Sequence, residues 1–305
     1  MLTNLKITKL FGLYDYHLQF SKSEQDKIRF VTAPNGYGKS TILRFIDGIF
    51  NHHLEAFFKI PFQELIFTID GAVLRISQTP VTSQREDVDA KDDVEVEFGF
   101  GANNSEQKIR LLQSDVFNGG GLLGDTMQQI DMFFSSETCK FVDDRRLLRE
   151  NADDSELVRL SDIVKEKMKH PDDMLEKQLK VLQDIVNRSE FANKDFELNP
   201  LFGFRFVAQD DKKTKLAMRD LSSGEQHIML MSLYMLFEAP EKAIVLIDEP
   251  EMSFHLSWQG DYLKNLRQIV ALRNIQCIVA THSPIIFDSE YDLSIDLYDQ
   301  MNLEN

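Results

Sequence analysis

Cysteine is scarce in this chain. The 305 residues hold two, Cys139 and Cys277, far apart and in no C-x-x-C pair. That speaks against a disulfide framework and against a zinc site built on paired thiols. Cys277 lies in the apolar run 275–280 and reads as a core residue. Long hydrophobic runs are missing as well: none approaches the roughly 20 residues needed to span a bilayer. Residues 1–9 mix charged and apolar side chains, unlike a secretory signal. An excess of positive charge is the third absence. Against 50 acidic side chains stand 34 basic ones, for a formal charge of −16. This opposes non-specific attraction to nucleic acid or an anionic membrane over most of the surface, while leaving room for a local basic strip. Together these absences lead us to expect a cytoplasmic protein with no membrane partner. The chain is 43% hydrophobic, enough to bury a substantial core.

Residues 5–10 and 16–20 read as short strands around a turn at Phe11-Gly12-Leu13, and 27–32 as a third. Residues 39–50 carry apolar side chains at helical spacing: Ile42, Leu43, Phe45, Ile46, Ile49 and Phe50. Residues 65–69, 73–77 and 94–98 predict antiparallel strands, the first two joined at Asp70-Gly71. The acidic stretch 85–93 predicts an exposed loop, 108–113 a strand, and Asn118-Gly119-Gly120-Gly121 a flexible segment. Residues 155–188 read as helical with a break at His170-Pro171, their charges alternating as on a solvated face. A hairpin is expected from 203–208 and 213–218. Helices follow at 223–237 and 258–272, and buried strands at 243–247 and 275–280.

The chemistry gathers in a few short blocks. Asn35-Gly36-Tyr37-Gly38-Lys39-Ser40-Thr41 sits between a strand and an apolar helix, the setting of a phosphate-binding loop. Small residues let backbone N–H groups wrap phosphates, and the helix N-terminus adds positive potential. Lys39 is the candidate contact for the β- and γ-phosphates, Ser40 for Mg²⁺. Gly36 and Gly38 permit close approach, and Asn35 can brace the loop. Ala33 stands where the G-x-x-x-x-G-K-[ST] pattern has its first glycine. If that position needs a positive φ, the methyl costs about 1 kcal/mol.

Residues 243–247 end in Asp248-Glu249, two carboxylates at the carboxyl end of a buried strand, where ligands bind in open α/β sheets. Asp248 is the candidate Mg²⁺ holder, through water. Glu249 is the candidate base for the attacking water. By themselves these acids read equally well as a solvated strand end before a proline turn; the upstream loop favours Mg·ATP chemistry. His282 follows the next apolar strand, where a γ-phosphate sensor would stand. Leu221-Ser222-Ser223-Gly224-Glu225-Gln226 opens a helix and is close to a capping box. Capping and phosphate binding use the same N–H groups, so both readings stand together.

In this order the blocks resemble the ABC-class ATPases over nearly the whole chain. Residues 221–225 match their signature, with Ser223 where glycine is usual. Asp248 and Glu249 match the Walker B acids, and His282 the switch histidine. The resemblance implies an α/β P-loop head with a parallel-sheet core, an antiparallel β subdomain and a helical lobe. It implies one ABC-type domain over 1–305: a β-rich lobe with the phosphate loop (1–115), a helical insert (116–200), and a lobe with signature, acids and histidine (201–305). ATP and Mg²⁺ are the implied cofactors. Two copies would sandwich two ATP molecules, with Ser222 and Gly224, and with them Ser223 and Glu225, acting in trans. Glu225 after the signature glycine resembles chromosome-maintenance and break-repair ATPases. Asp248-Glu249-Pro250-Glu251 with Phe254-His255 is similar to the overcoming-lysogenization-defect ATPases. Many small bacterial ATPases of that branch accompany a nuclease or toxin in antiphage defence.

Some assignments stay open. Gln113, at a strand end, is one candidate for the glutamine that senses Mg²⁺ and water; the Asp143-Asp144-Arg145-Arg146 segment is the other. Tyr14 or Tyr16 could stack on adenine or pack in their hairpin. The leading function is an ATP-driven homodimerising switch for a separate effector, a nuclease or toxin, since no residues are left over for an acidic nuclease cluster. A DNA-engaging repair ATPase is the alternative, with nucleic acid as partner through Arg145, Arg146 and Arg149 or Lys212, Lys213 and Lys215. A transporter subunit or a non-hydrolysing scaffold ranks below both.

Overall fold

The computed structural model describes residues 1–20, 27–81, 93–101, 107–118, 121–133, 139–143 and 155–301. Most of the acidic stretch 85–93, the glycines 119–120, and Asp144, Arg145, Arg146 and Arg149 lie outside the described residues. The chain divides into two compact units: Met1–Lys140 with Ser294–Asn305, and Phe141–Leu293.

In the first unit, β1 (Leu2–Leu10) and β2 (Tyr14–Gln19) pair antiparallel, and β3 (Ile28–Thr32) leads into helix α1 (Lys39–Phe50) and the short α2 (Ala56–Lys59). Four strands follow: β4 (Glu64–Ile69), β5 (Ala72–Val81), β6 (Asp93–Gly101) and β7 (Gln107–Leu112). They extend an antiparallel sheet of order β2-β1-β4-β5-β6-β7. Alternation of apolar and polar residues makes these strands one-faced: Leu65, Phe67 and Ile69 of β4 are buried and the residues between them are not. Asp70 (φ 47°) and Gly71 (φ 83°) both take left-handed backbone, which closes a two-residue hairpin of the twist that strands favour. In α1, Ile42, Leu43, Phe45, Ile46 and Ile49 are fully buried. Phe45 stacks on Phe57 of α2 at 5.5 Å. Each such side chain contributes about 1.5–3 kcal/mol. Helices α3 (Gln113–Asn118) and α4 (Gly121–Phe133) follow β7, and His52 reaches Asp131 of α4 at 3.1 Å. Strand β8 (Cys139–Asp143) carries the chain across the unit boundary.

The second unit opens with α5 (Ser155–Lys167) and α6 (Asp173–Ser189). Their separation is the expected break. Asp172 caps α6 by accepting a hydrogen bond from Leu175 N at 2.7 Å. Strands β9 (Lys194–Asn199), β10 (Gly203–Ala208) and β11 (Lys215–Leu216) form an antiparallel sheet of order β11-β10-β9. The expected hairpin is therefore real but its second strand is two residues long, because Met218–Asp220 turns into a 3₁₀ helix. Helix α7 (Ser223–Leu233) ends earlier than its apolar pattern suggested and continues as a π-helical turn, Tyr234–Glu238. Strand β12 (Ile244–Asp248), helix α8 (Leu256–Arg273) and strand β13 (Gln276–Thr281) complete the unit. β12 and β13 pair in parallel, Ile244 opposite Gln276 and Asp248 opposite Ala280. All of β13 is buried, as a strand covered on both faces must be. Burial pushes the Cys277 thiol well above its ordinary range, so it is inert core.

The chain then returns to the first unit. β14 (Ser294–Asp296) pairs in parallel with β3, and α9 (Leu297–Met301) follows it. Gln300 of α9 accepts from His17 N at 2.8 Å and donates to His17 O at 3.1 Å, which pins this end to β2. Among the described residues, no helix is long and apolar enough to cross a membrane.

Candidate functional site

The first unit holds the phosphate loop. β3 ends at Thr32, and the loop runs to Gly38, which starts α1 with φ 92° and ψ 15°. Gly36 has the same φ of 92°. The left-handed backbone thus falls on the two glycines of Asn-Gly-Tyr-Gly-Lys, where it costs little. Ala33 is not among the residues with positive φ. The strain considered for its methyl therefore does not arise; the methyl is buried and the carbonyl faces Lys39. Lys39 Nζ donates to Ala33 O at 2.8 Å and Pro34 O at 3.4 Å, so the ammonium lies inside the loop although the residue is only 4% exposed. No side chain caps α1, and its first turn carries no acid. Its leading N–H groups and the Lys39 charge fit a polyphosphate. Ser40 and Thr41 are half-buried in the first turn and Asn35 is exposed.

Aromatic residues brace the loop from one side. Tyr14 stacks on Tyr16 at 5.8 Å and on Tyr37 at 5.6 Å, and Tyr16 Oη donates to Tyr37 O at 3.0 Å. Tyr16 is buried, which raises its hydroxyl pKa, and Tyr14 stacks against two other rings. In this arrangement the two tyrosines pack in their hairpin. Gln113 is half-buried and opens α3; β7 stops one residue earlier, at Leu112. It stands at a strand-to-helix junction, not on the strand as the sequence suggested.

The second unit holds the acids, the histidine and the serine turn. Asp248 ends β12 and Glu249 follows in left-handed backbone, φ 48° and ψ 53°. Glu249 N donates to Ala280 O at 2.8 Å, which anchors this turn to β13. The Glu249 side chain is 19% exposed, and its Oε1 lies 4.0 Å from Nδ1 of His282. A nearer carboxylate belongs to Glu251, whose Oε1 is 3.1 Å from His282 Nδ1. The same oxygen accepts from Thr281 Oγ1 at 2.6 Å and His282 N at 3.0 Å. Glu249, Glu251, Thr281 and His282 thus come together at the carboxyl ends of β12 and β13.

At the serine turn, Ser222 Oγ accepts from Glu225 N at 3.3 Å and Glu225 Oε2 accepts from Ser222 N at 2.7 Å. This is the expected capping box. Glu225 is buried, and its other oxygen pairs with Lys194 Nζ at 3.0 Å. Ser222 and Ser223 are exposed and Gly224 is buried. The N–H groups of Ser223 and Gly224, first in the helix, have no intrahelical partner.

Sequence reasoning missed Glu251 as a site residue and Lys194 altogether. Glu251 was visible only as the second acid of a Glu-Pro-Glu run. Nothing in the pattern around Lys194 joins it to Glu225, 31 residues away. Among the described residues, no cluster of three or more His, Cys, Asp or Glu side chains could hold a metal ion unaided. A Mg²⁺ ion bound mainly by phosphates and water needs only one or two protein ligands, and the Ser40 hydroxyl is an oxygen of the right chemistry.

Residues 134–288, just over half of the chain, match the family described as "AAA domain, putative AbiEii toxin, Type IV TA system". This stretch contains the serine turn, both acids and His282. Protein ea59 of Escherichia phage lambda is 33% identical over 84 residues. That match covers 25% of this chain and 16% of the relative, so the chain accounts for about a sixth of the relative's length. Among solved structures, the chain is similar to the SMC head domain from Thermotoga maritima, with a TM-score of 0.46, 14% identity, and coverage of 96% of this chain and 92% of that one. An SmcHead bound to the C-winged helix domain of ScpA gives a TM-score of 0.46 and 14% identity over 94% and 90% of the two chains. The chain belongs to the family described as "AAA domain, putative AbiEii toxin, Type IV TA system", and is a P-loop ATPase.

Proposed function

We propose that this ATPase is a dimerising switch: ATP binding joins two copies, hydrolysis separates them, and a separate effector, a nuclease or toxin, reads the state. Antiphage defence in the bacterial cytoplasm is the setting this reading favours. The family's description, a putative toxin of a toxin–antitoxin system, supports a setting of that kind. The ATPase domain would span 1–305 as one ABC-type head, with the helical insert at 116–200.

In this reading Mg·ATP supplies the transferable γ-phosphoryl group. Lys39 neutralises the β- and γ-phosphates while the N–H groups of residues 36–41 wrap them, with Asn35 bracing the loop. Ser40 ligates Mg²⁺, Asp248 holds it through water, and Gln113 senses it. Glu249 takes the proton of the attacking water. His282 donates to the γ-phosphate. Ser222, Ser223 and Gly224 of the second copy close over the same phosphate, and Glu225 keeps their turn in shape.

The observation that carries the reading is the exposed Ser222-Ser223 pair, held ready by the Glu225 box at the start of α7. A turn this ordered and this accessible is built to meet something. Phosphate release by the purified protein tests the reading. Wild type should hydrolyse ATP and Glu249→Gln should bind it without turnover; an inactive wild type would leave only a nucleotide-binding scaffold. A second reading, a DNA-engaging repair ATPase, has its support in Lys212, Lys213 and Lys215, all exposed around the β10–β11 hairpin. Salt-dependent DNA binding by the isolated protein would favour it.

A further inference from the structure

The second unit contains a buried carboxylate for which the roles above have no use. The Glu251 side chain is 4% exposed, in the 3₁₀ turn that follows Pro250. Burying a carboxylate this deeply is unfavourable unless hydrogen bonds compensate. Here Oε1 takes both hydrogen bonds, from Thr281 Oγ1 at 2.6 Å and His282 N at 3.0 Å, and lies 3.1 Å from His282 Nδ1. Oε2 is buried with no hydrogen-bond partner. One oxygen thus holds the segment that carries the histidine through two hydrogen bonds and a close contact with the ring. The segment is also held from behind. Ser283 N donates to Thr281 Oγ1 at 3.0 Å, and Ser283 Oγ donates to Gln259 Oε1 at 2.8 Å. Gln259 is a buried residue of α8.

We propose that Glu251 is the positioning residue for His282. Its Oε1 accepts the Nδ1–H proton and fixes both the tautomer and the ring plane. The hydrogen bond at one ring nitrogen decides what the other can do. With Nδ1–H given to Glu251, Nε2 faces the phosphate and donates to it only as the imidazolium, whose charge the Glu251 carboxylate balances. Among the described residues nothing hydrogen-bonds Nε2, and the His282 side chain is 48% exposed. Glu249 does not compete for this task, because its Oε1 is 4.0 Å from Nδ1, beyond hydrogen-bond reach. The two acids that flank Pro250 thus divide the work: Glu249 serves the water and Glu251 serves the histidine. This inference rests on the proposed role of His282 in ATP hydrolysis.

Two measurements test it. The first is the tautomer of His282 in wild-type protein, read from imidazole nitrogen shifts by NMR with His282→Gln as the assignment control. Protonation at Nδ1 is expected; a neutral ring protonated at Nε2 overturns the proposal, whatever the protein's turnover. The second is a kinetic cycle. Glu251→Leu removes the acceptor and should lower kcat about 100-fold with little change in KM. Glu251→Gln keeps an oxygen in place and should stay within about threefold of wild type. In a His282→Ala background, Glu251→Leu should add nothing further. Independent, additive losses would overturn the positioning role while leaving the ATPase reading intact. A His282→Ala enzyme with full activity would instead sink the role given to the histidine.

Discussion

Two helix starts in this chain face the same task with opposite constructions. Helix α1 begins at Gly38, in left-handed backbone, with no side-chain cap and no acid in its first turn. Helix α7 begins at Ser222 with a complete capping box, backed by a buried glutamate and a lysine. An uncapped start leaves its donors to a ligand, at the cost of stability when none is bound. A capped start keeps its shape unliganded and presents only the remaining N–H groups and a hydroxyl. The first construction suits a site that grips a phosphate within its own chain. The second suits a turn that must stay ordered in solvent until another surface arrives. That contrast is the physical basis for assigning Lys39 to binding and Ser222 to dimerisation.

The largest effect should come from emptying the first start. Lys39→Ala should weaken ATP binding by at least about 100-fold, measured by calorimetric titration, because it removes charge-assisted hydrogen bonds to phosphate. Ser222→Arg should separate the two functions. Dimerisation and turnover should be lost while ATP affinity stays within about threefold, since Arg fits neither the cap nor a covering surface. Retained turnover would contradict the assignment in trans. Glu225→Gln strikes the frame behind the turn. It breaks a pair between a buried Glu225 and a Lys194 side chain that is 18% exposed. A loss of about 2 kcal/mol in urea unfolding is expected. Gly38→Ala should cost about 1–2 kcal/mol and weaken ATP binding, because φ 92° suits only glycine and a Cβ would meet Leu10 Cδ2 at 2.7 Å. The smallest change should be Ala33→Gly. It restores the usual glycine but relieves no strain, so ATP affinity should move less than about twofold and stability should fall by about 0.5–1 kcal/mol.

Much of this contrast was legible in the sequence, for reasons that are local. Helix α1 runs over residues 39–50 as its apolar spacing indicates, and the parallel strands β12 and β13 follow two runs too apolar to be anything but buried. The Asp70-Gly71 turn and the break before Asp172 are short-range chemistry. What escaped depends on distant partners. Strand β9 is half-buried at every position and shows no alternation to read. β14 is three residues long and exists because it pairs with β3, more than 260 positions earlier. The backbone at Ala33 could not be read from a motif, and the neutral outcome follows from positive φ falling on Gly36 and Gly38 instead. Of the site, the residue types and their order were visible. The Glu251 contact with His282 and the Lys194 contact with Glu225 were not, because each joins side chains about 30 positions apart.

The central claim is that the Ser222 turn of one copy covers the phosphate held by Lys39 of another. Sedimentation velocity on Glu249→Gln, with and without Mg·ATP, tests it most directly. The account predicts a monomer that becomes a dimer on adding Mg·ATP and returns to a monomer when Ser222→Arg is combined with it. A protein that binds ATP yet sediments as a monomer throughout would contradict it.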